Sequence, residues 1–157
     1  MKLGLALFLL LTTIGCDRVT KHIATTQLRD QPSRSWLGGT VELEYAENRG
    51  AFLSMGSRLP EWASILVFRV GVGIALAALA FVALKYRWTG AALAGAVFIF
   101  AGGISNLFDR TLHGSVVDFM SIGIGPLRTG IFNVADAGIL LGGVLIAFRE
   151  SFQRSQT

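Results

Sequence analysis

The stretch from Trp62 to Leu84 is 23 residues long and carries a single charge, Arg69. A helix over it reaches roughly 34 Å, enough to cross about 30 Å of hydrocarbon. Inside a bilayer a helix satisfies its backbone polar groups internally, so such a run has essentially one stable form there. Residues 90–108 and 131–148 read the same way. The balance of 52% hydrophobic and 15% charged residues, with a mean hydropathy of +0.58, is that of an integral membrane protein. Arg69 is read as snorkelling to the interface.

The first apolar run, Leu3 to Ile14, is too short to span alone. Two readings compete. One is a cleavable signal peptide, with Thr13-Ile14-Gly15-Cys16 as a loose lipoprotein cleavage box that lacks leucine three residues before the cysteine. The other is a spanning helix that continues through Asp17, Val19 and Ile23 to about Ala24. The strongly hydrophobic segments downstream favour the second. Asp17, Thr20 and Lys21 then fall at i, i+3 and i+4, where Asp17 and Lys21 can pair on the helix surface.

The expected fold is therefore mainly α and integral to the membrane. Four transmembrane helices span about 3–24, 62–84, 90–108 and 131–148, in one membrane domain over 1–157. A segment outside the membrane, 25–61, separates the first two. Within it Val41, Leu43 and Tyr45 alternate with Glu42 and Glu44, which predicts a strand with one buried face. Asn48-Arg49-Gly50 reads as a tight turn, and Ala51-Phe52-Leu53 as a returning strand. This predicts a small β-sheet on the membrane surface between helices 1 and 2, with the Asn48–Phe52 turn opening to admit a substrate.

Polar residues concentrate between Gly102 and Asp136. There lie Asp109, Asp118, Asp136, Asn106, Asn133, Arg110 and Arg128, flanked by apolar runs. Gly102, Asn106, Asp109 and Arg110 recur at the spacing of one helix face. Asn133 and Asp136 are i, i+3 on the next helix. With that helix starting at Ile131, Asp136 lies roughly 7 Å inside the apolar run. A carboxylate there costs about 2.5 to 3.5 kcal/mol even on a lenient scale, so it needs a reason. A helical hairpin would bring Asp118, in a Gly- and Ser-containing connection, up to Asp136. Two carboxylates in a partly dry site share one proton and can activate water for attack on an amide, without metal. The plainer reading makes Asp109–Arg110 a helix-end ion pair and Asp118 a turn residue.

The net charge of +4 is spread over loops and tails with no basic run. It suits membrane surfaces and gives no indication of nucleic acid. The single Cys16 allows no internal disulfide and no cysteine zinc cluster. His22 and His113 are far apart with no HExxH, so no metal site or cofactor is expected.

Five motifs carry a resemblance: Asp17-Arg18-Val19-Thr20-Lys21, Asn48-Arg49-Gly50-Ala51-Phe52, Asn106-Leu107-Phe108-Asp109-Arg110, Val116-Val117-Asp118-Phe119 and Phe132-Asn133-Val134-Ala135-Asp136. In this order and spacing they resemble the motif set of bacterial lipoprotein signal peptidase (signal peptidase II). The resemblance covers residues 17 to 143. It implies a multi-pass aspartic endopeptidase of the bacterial cytoplasmic (inner) membrane, with cytoplasmic termini, the 25–61 segment and its sheet on the outer, extracytoplasmic surface, and the active site on that side. Such enzymes remove the signal peptide from prolipoproteins, cutting before a diacylglyceryl-modified cysteine. By similarity Asp118 and Asp136 match the catalytic pair. Asn48, Gly102, Asn106, Asp109, Arg110 and Asn133 match residues that line or support the site, and Asp17 and Lys21 a supporting motif on the first helix. The implied partners are modified prolipoproteins and membrane lipids. One position departs from the family pattern, which has glycine where this chain has Ser105.

Charge counts test the orientation poorly. The termini and the 85–88 turn hold five lysines and arginines (Lys2, Lys85, Arg87, Arg149, Arg154), and the opposite side holds eight (Arg18, Lys21, Arg29, Arg34, Arg49, Arg58, Arg110, Arg128). Three rivals stand beside the peptidase reading. A non-catalytic transporter subunit or scaffold would use these polar residues as packing glue. A metal-dependent lipid phosphotransferase would want a denser aspartate cluster. A presenilin-type protease would carry GxGD, which is absent.

Overall fold

The structure is a computed structural model and describes residues 3–50 and 60–154. The strand expected over Ala51–Leu53 and the Phe52 end of the expected gating turn lie outside the described residues.

Helix α1 runs Leu3–Gln27 without a break, in keeping with a spanning first helix. Strands β1 (Arg34–Trp36) and β2 (Val41–Asn48) follow. Helix α2 runs Glu61–Lys85, wound as a π-helix over Leu66–Gly71. Helix α3 spans Gly90–His113. Strands β3 (Val116–Ile124) and β4 (Leu127–Arg128) lead into α4, Val134–Arg154. Three helices, α1 to α3, are long and apolar enough to cross a membrane, and the apolar part of α4, Val134–Phe148, is shorter. Outward-facing apolar side chains such as Phe8, Leu11, Ile74, Phe81 and Leu140 are more than half exposed. A bilayer, not water, accommodates such a surface.

The ends of α1, α3 and α4 at residues 27, 113 and 134 adjoin the sheet, while α2 and α3 are joined at the opposite end by a short turn. The sheet has the antiparallel order β1-β2-β3-β4. It is thus larger than the segment between helices 1 and 2, because β3 and β4 come from the connection between α3 and α4. No helical hairpin brings the carboxylates together; a strand does. Gly114, at φ 76°, ends α3 in the left-handed conformation, and β3 starts two residues later. Val116-Val117 and Phe119-Met120 supply apolar side chains, the two valines β-branched, that favour a strand. Leu43 and Tyr45 of β2 and Val117 and Met120 of β3 pack on Ala24, Leu28 and Phe119, which seals the sheet onto the end of α1.

Helices α3 and α4 cross with their backbones in contact. A Cβ on Gly95 would stand 2.6 Å from the Gly142 carbonyl oxygen, and one on Gly102 would stand 2.3 Å from that of Ala135. Small residues at such crossings let membrane helices approach closely. Gly102→Ala is therefore expected to cost about 1–3 kcal/mol through overpacking and to push Ala135, and Asp136 beside it, away from α3. Thermal unfolding should drop for Gly102→Ala and stay put for Gly143→Ala, whose added methyl meets nothing within 4 Å.

Candidate active site

The register of the sheet sets the first carboxylate. Asp118 pairs with Ala46 and Val116 with Asn48, so Asn48 and Asp118 are diagonal neighbours across the strands, within reach of their side chains. Asn48 donates from Nδ2 to Asp118 Oδ2 at 2.9 Å. The same asparagine accepts the Gly50 N–H on Oδ1 at 3.0 Å, an Asx turn that fixes its rotamer.

After β4 the chain returns to β3. Phe132 donates its N–H to the Met120 carbonyl at 2.8 Å, which sets Asn133 beside Asp118. Helix α4 then starts at Val134 rather than Ile131, because residues 131–133 are spent on this bridge and on the cap. Asp136 accordingly sits in the first turn of α4, not five residues into an apolar run. Asn133 and Asp136 form a reciprocal capping box: the Asp136 N–H donates to Asn133 Oδ1 at 2.9 Å and the Asn133 N–H to Asp136 Oδ2 at 3.3 Å. Asn133 Nδ2 meanwhile donates to Asp118 Oδ1 at 2.6 Å. One fully buried asparagine thus joins both carboxylates. Asn106, from α3, donates Nδ2 to Asp136 Oδ1 at 2.9 Å.

A buried ionic cluster lies behind this pair. Lys21 Nζ meets Asp17 Oδ2 at 2.7 Å and Asp109 Oδ2 at 2.8 Å, and donates to Asn106 Oδ1 at 2.8 Å. Arg18 Nη1 pairs with Asp109 Oδ1 at 2.6 Å. Two cations balance two carboxylates, which is the condition for burying any of them. Asp17 and Lys21 are 0% and 5% exposed, so theirs is no surface pair but the link between α1, α3 and α4. Asp17 Oδ1 also accepts the Ala135 N–H at 2.9 Å. It holds a donor of the first turn of α4 that has no partner within the helix, one residue from Asp136.

Of the residues singled out by sequence, Asn48, Asn106, Asn133, Asp118 and Asp136 converge directly. Asp17, Lys21 and Asp109 form the cluster behind them, and Gly102 is the close contact beneath Ala135. Arg110 pairs with no carboxylate of its own helix end; it donates to the Gly50 carbonyl through Nε at 3.2 Å and Nη2 at 2.7 Å. Its guanidinium lies 5.9 Å from the ring of Phe68 in the π-helical part of α2. Sequence reasoning missed Arg18, whose position next to Asp17 was the available signal. It also missed the part played by Ser105, which donates Oγ to Asp17 Oδ2 at 2.6 Å.

Burial pushes the Asp118 carboxyl up to about 6. Hydrogen bonds from Asn48 and Asn133 and the charge of Lys21 oppose this, and the charge of Asp136 adds to it. Two apolar clefts flank Asp136. One, of about 340 Å³, opens between α2, α3 and α4 along Phe68, Val72 and Ile139. The other, of about 580 Å³, lies between β3 and α4 along Met120, Phe132, Leu141 and Val144. The arrangement can bind an extended polar chain at the carboxylates while apolar groups stay in the clefts. Among the described residues, no three His, Cys, Asp or Glu side chains converge as a metal site.

Known proteins match this chain over nearly its whole length. The sequence profile of the family described as Signal peptidase (SPase) II matches residues 9–152. A lipoprotein signal peptidase of Chlorobium phaeovibrioides is 37% identical over 150 residues, covering 88% of this chain and 85% of its own. One of Sphingopyxis alaskensis is 38% identical over 138 residues, covering 85% and 77%. A bacterial membrane enzyme solved by the in meso method at 2.3 Å resolution superposes with a TM-score of 0.87 and 26% identity, covering 99% of this chain and 92% of its own.

Proposed function

The chain belongs to the signal peptidase II family, a family of membrane peptidases that process prolipoproteins, and on that premise we propose that it cleaves them as an aspartic endopeptidase. Asp118 and Asp136 are the catalytic pair. The observation that carries this is the sharing of Asn133: two carboxylates from different elements, one held by the side-chain amide and the other by the backbone N–H of the same buried residue, beside apolar clefts. In its active form the pair holds one proton and one charge. The ionised member takes a proton from water as the water attacks the scissile carbonyl, and the protonated member donates to the carbonyl oxygen. On collapse of the tetrahedral intermediate the member that had given its proton takes one back from a hydroxyl, the C–N bond breaks, and the departing amine takes the proton that the other member had drawn from water. Asn48 and Asn106 hold the two carboxylates in place, and Arg110 holds the Gly50 turn beside them.

The substrate is a prolipoprotein cut before a diacylglyceryl-modified cysteine. Its acyl chains and the apolar part of its signal peptide occupy the two clefts on either side of Asp136. The sheet covers the site at the extracytoplasmic face of the bacterial inner membrane. A precursor peptide with an unmodified cysteine should be cleaved at least ~100-fold more slowly, since burying two acyl chains contributes roughly 0.8 kcal/mol per methylene. Equal rates for modified and unmodified peptide would remove the lipid from the recognition account.

The pH dependence follows from Asp118. As pH falls through about 6 the Asp118 carboxyl takes up a proton, so kcat/KM is expected to fall on the acid side. Asn48 favours the ionised form of Asp118 by donating to it. Asn48→Ala should therefore move the acid limb to higher pH, as read from rate profiles between pH 4.5 and 8. The pair titrates as a unit, so the limb belongs to the pair. A limb that does not move in Asn48→Ala would separate Asp118 from the titration.

A further inference from the structure

One face of the sheet runs out past the helices, largely uncovered by the described residues. Residues paired directly across antiparallel strands share a face, as do residues two apart on one strand. Trp36 pairs with Val41, and Val41 with Ile122. Ile124 lies two residues beyond Ile122 and pairs with Leu127. These five side chains form one apolar face across β1, β2, β3 and β4. The alternate positions are polar or lack a side chain: Ser35 pairs with Glu42, Glu42 with Ser121, and Gly123 with Arg128. Arg128 Nη2 lies 3.3 Å from Glu42 Oε2, and Nη1 donates to the Gly39 carbonyl at 2.7 Å. The polar face thus finds its partners within the sheet, and this end of the sheet is amphipathic.

Its place in the fold says what covers the apolar face. Ile122 lines the cleft of about 580 Å³ whose other wall includes Leu140, Leu141 and Val144 of α4. Leu140 is 66% exposed and belongs to the surface that a bilayer covers. The apolar face of the sheet therefore starts against α4 and continues beyond it. Exposure rises along the same path, from 42% at Ile122 to 81% at Ile124 and 84% at Leu127, with Trp36 at 58% on the other edge. An apolar patch of this kind marks an interaction surface, and here it is continuous with the lipid-facing side of α4. Tryptophan suits the membrane–water interface, with an apolar ring and one N–H donor. Arg34 is exposed on the same face two residues from Trp36, where its stem can lie along lipid while the guanidinium stays at the phosphates. We infer that this end of the sheet is inserted into the bilayer surface beside α4, with Trp36, Ile124 and Leu127 among the upper acyl chains. Register and exposure carry this, independently of the catalytic reading.

Tryptophan fluorescence tests the insertion. Trp62→Phe with Trp88→Phe leaves Trp36 as the only tryptophan. The full chain is placed as a single copy in lipid nanodiscs of phosphatidylcholine, brominated either near the top of the acyl chains or near their ends. Trp36 should lose fluorescence in the brominated discs, and more with bromine near the top, as befits a group ~5–10 Å into the headgroup–acyl boundary. Acrylamide in the water should quench it little. A second probe reads the other edge: Leu127→Trp in a chain with Trp36→Phe, Trp62→Phe and Trp88→Phe. It should respond in the same way, and because each chain carries different changes, a folding defect in one leaves the other to decide. Quenching by acrylamide but not by brominated lipid would place the tip in water. Protection from both quenchers would mean that protein covers it. Either result, in a chain that unfolds at the parent's temperature, overturns the inference.

Discussion

Asp118→Asn and Asp136→Asn are each expected to lower cleavage of a modified precursor by about 10³-fold or more, and the double variant should be little worse than either. On the proposed mechanism each substitution removes a proton acceptor or donor at the reacting bond, and general acid–base steps contribute about 10² to 10⁴-fold each. The groups act as one unit, so their losses do not add. The Asp118 variant also carries its own folding control. A carboxyl raised from 3.8 to about 6 contributes stability that is fully present in acid and is lost as pH rises through about 6. The loss is on the order of 3 kcal/mol. Wild-type protein should therefore lose stability between pH 4 and pH 7, and Asp118→Asn should lose less over the same range. A variant that stays folded, flattens this slope and abolishes turnover separates catalysis from packing glue. Turnover retained in either folded variant would remove the dyad.

Lys21→Met should be the most destabilising single change in the cluster, by about 3–5 kcal/mol. Methionine fills the space but leaves Asp17 without its lysine and Asp109 with Arg18 alone. It also strips a donor from Asn106 Oδ1, which faces the Asn133 amide at 3.4 Å. The effect reaches the site through two routes, Asn106 to Asp136 and Asp17 to the Ala135 N–H. Thermal unfolding in detergent measures the stability loss, and the surviving folded fraction should show lowered kcat with little change in KM. Replacing Arg29, whose pair with Glu47 is exposed, should shift stability by less than about 1 kcal/mol. Similar losses for the two substitutions would mean that the Lys21 cluster is not buried in the working protein.

Much of the fold was legible because the apolar runs leave little choice. Trp62–Leu84 could hardly be anything but a membrane helix, and the alternation from Val41 to Tyr45 could hardly be anything but a strand. The i, i+4, i+7 spacing from Gly102 to Asp109 placed those residues on one face, and that face is buried. What escaped was the second half of the sheet. Asp118, Ser121 and Gly123 disguised Val116–Ile124 as a turn, although Val116, Val117, Phe119, Met120, Ile122 and Ile124 carry a strand composition. The start of α4 was misplaced for the same reason: Ile131 and Phe132 look like helix, but pairing with Met120 draws them into the sheet. The Asp17–Lys21 pair was read as a surface pair because a helix's own spacing cannot reveal what packs against it. Asp109 and Ser105, more than 80 residues away in sequence, bury it. Ser105, the departure from the family pattern, is small enough for the helix contact and adds a hydrogen bond that glycine could not make.

The most direct test of the central claim is cleavage of a diacylglyceryl-modified precursor peptide by the purified chain in lipid, with EDTA present and the products read by mass. The carboxylate-pair account predicts a single cut before the modified cysteine at an undiminished rate. Loss of the cut on chelation, restored by added divalent metal, or a cut at another bond, would contradict it.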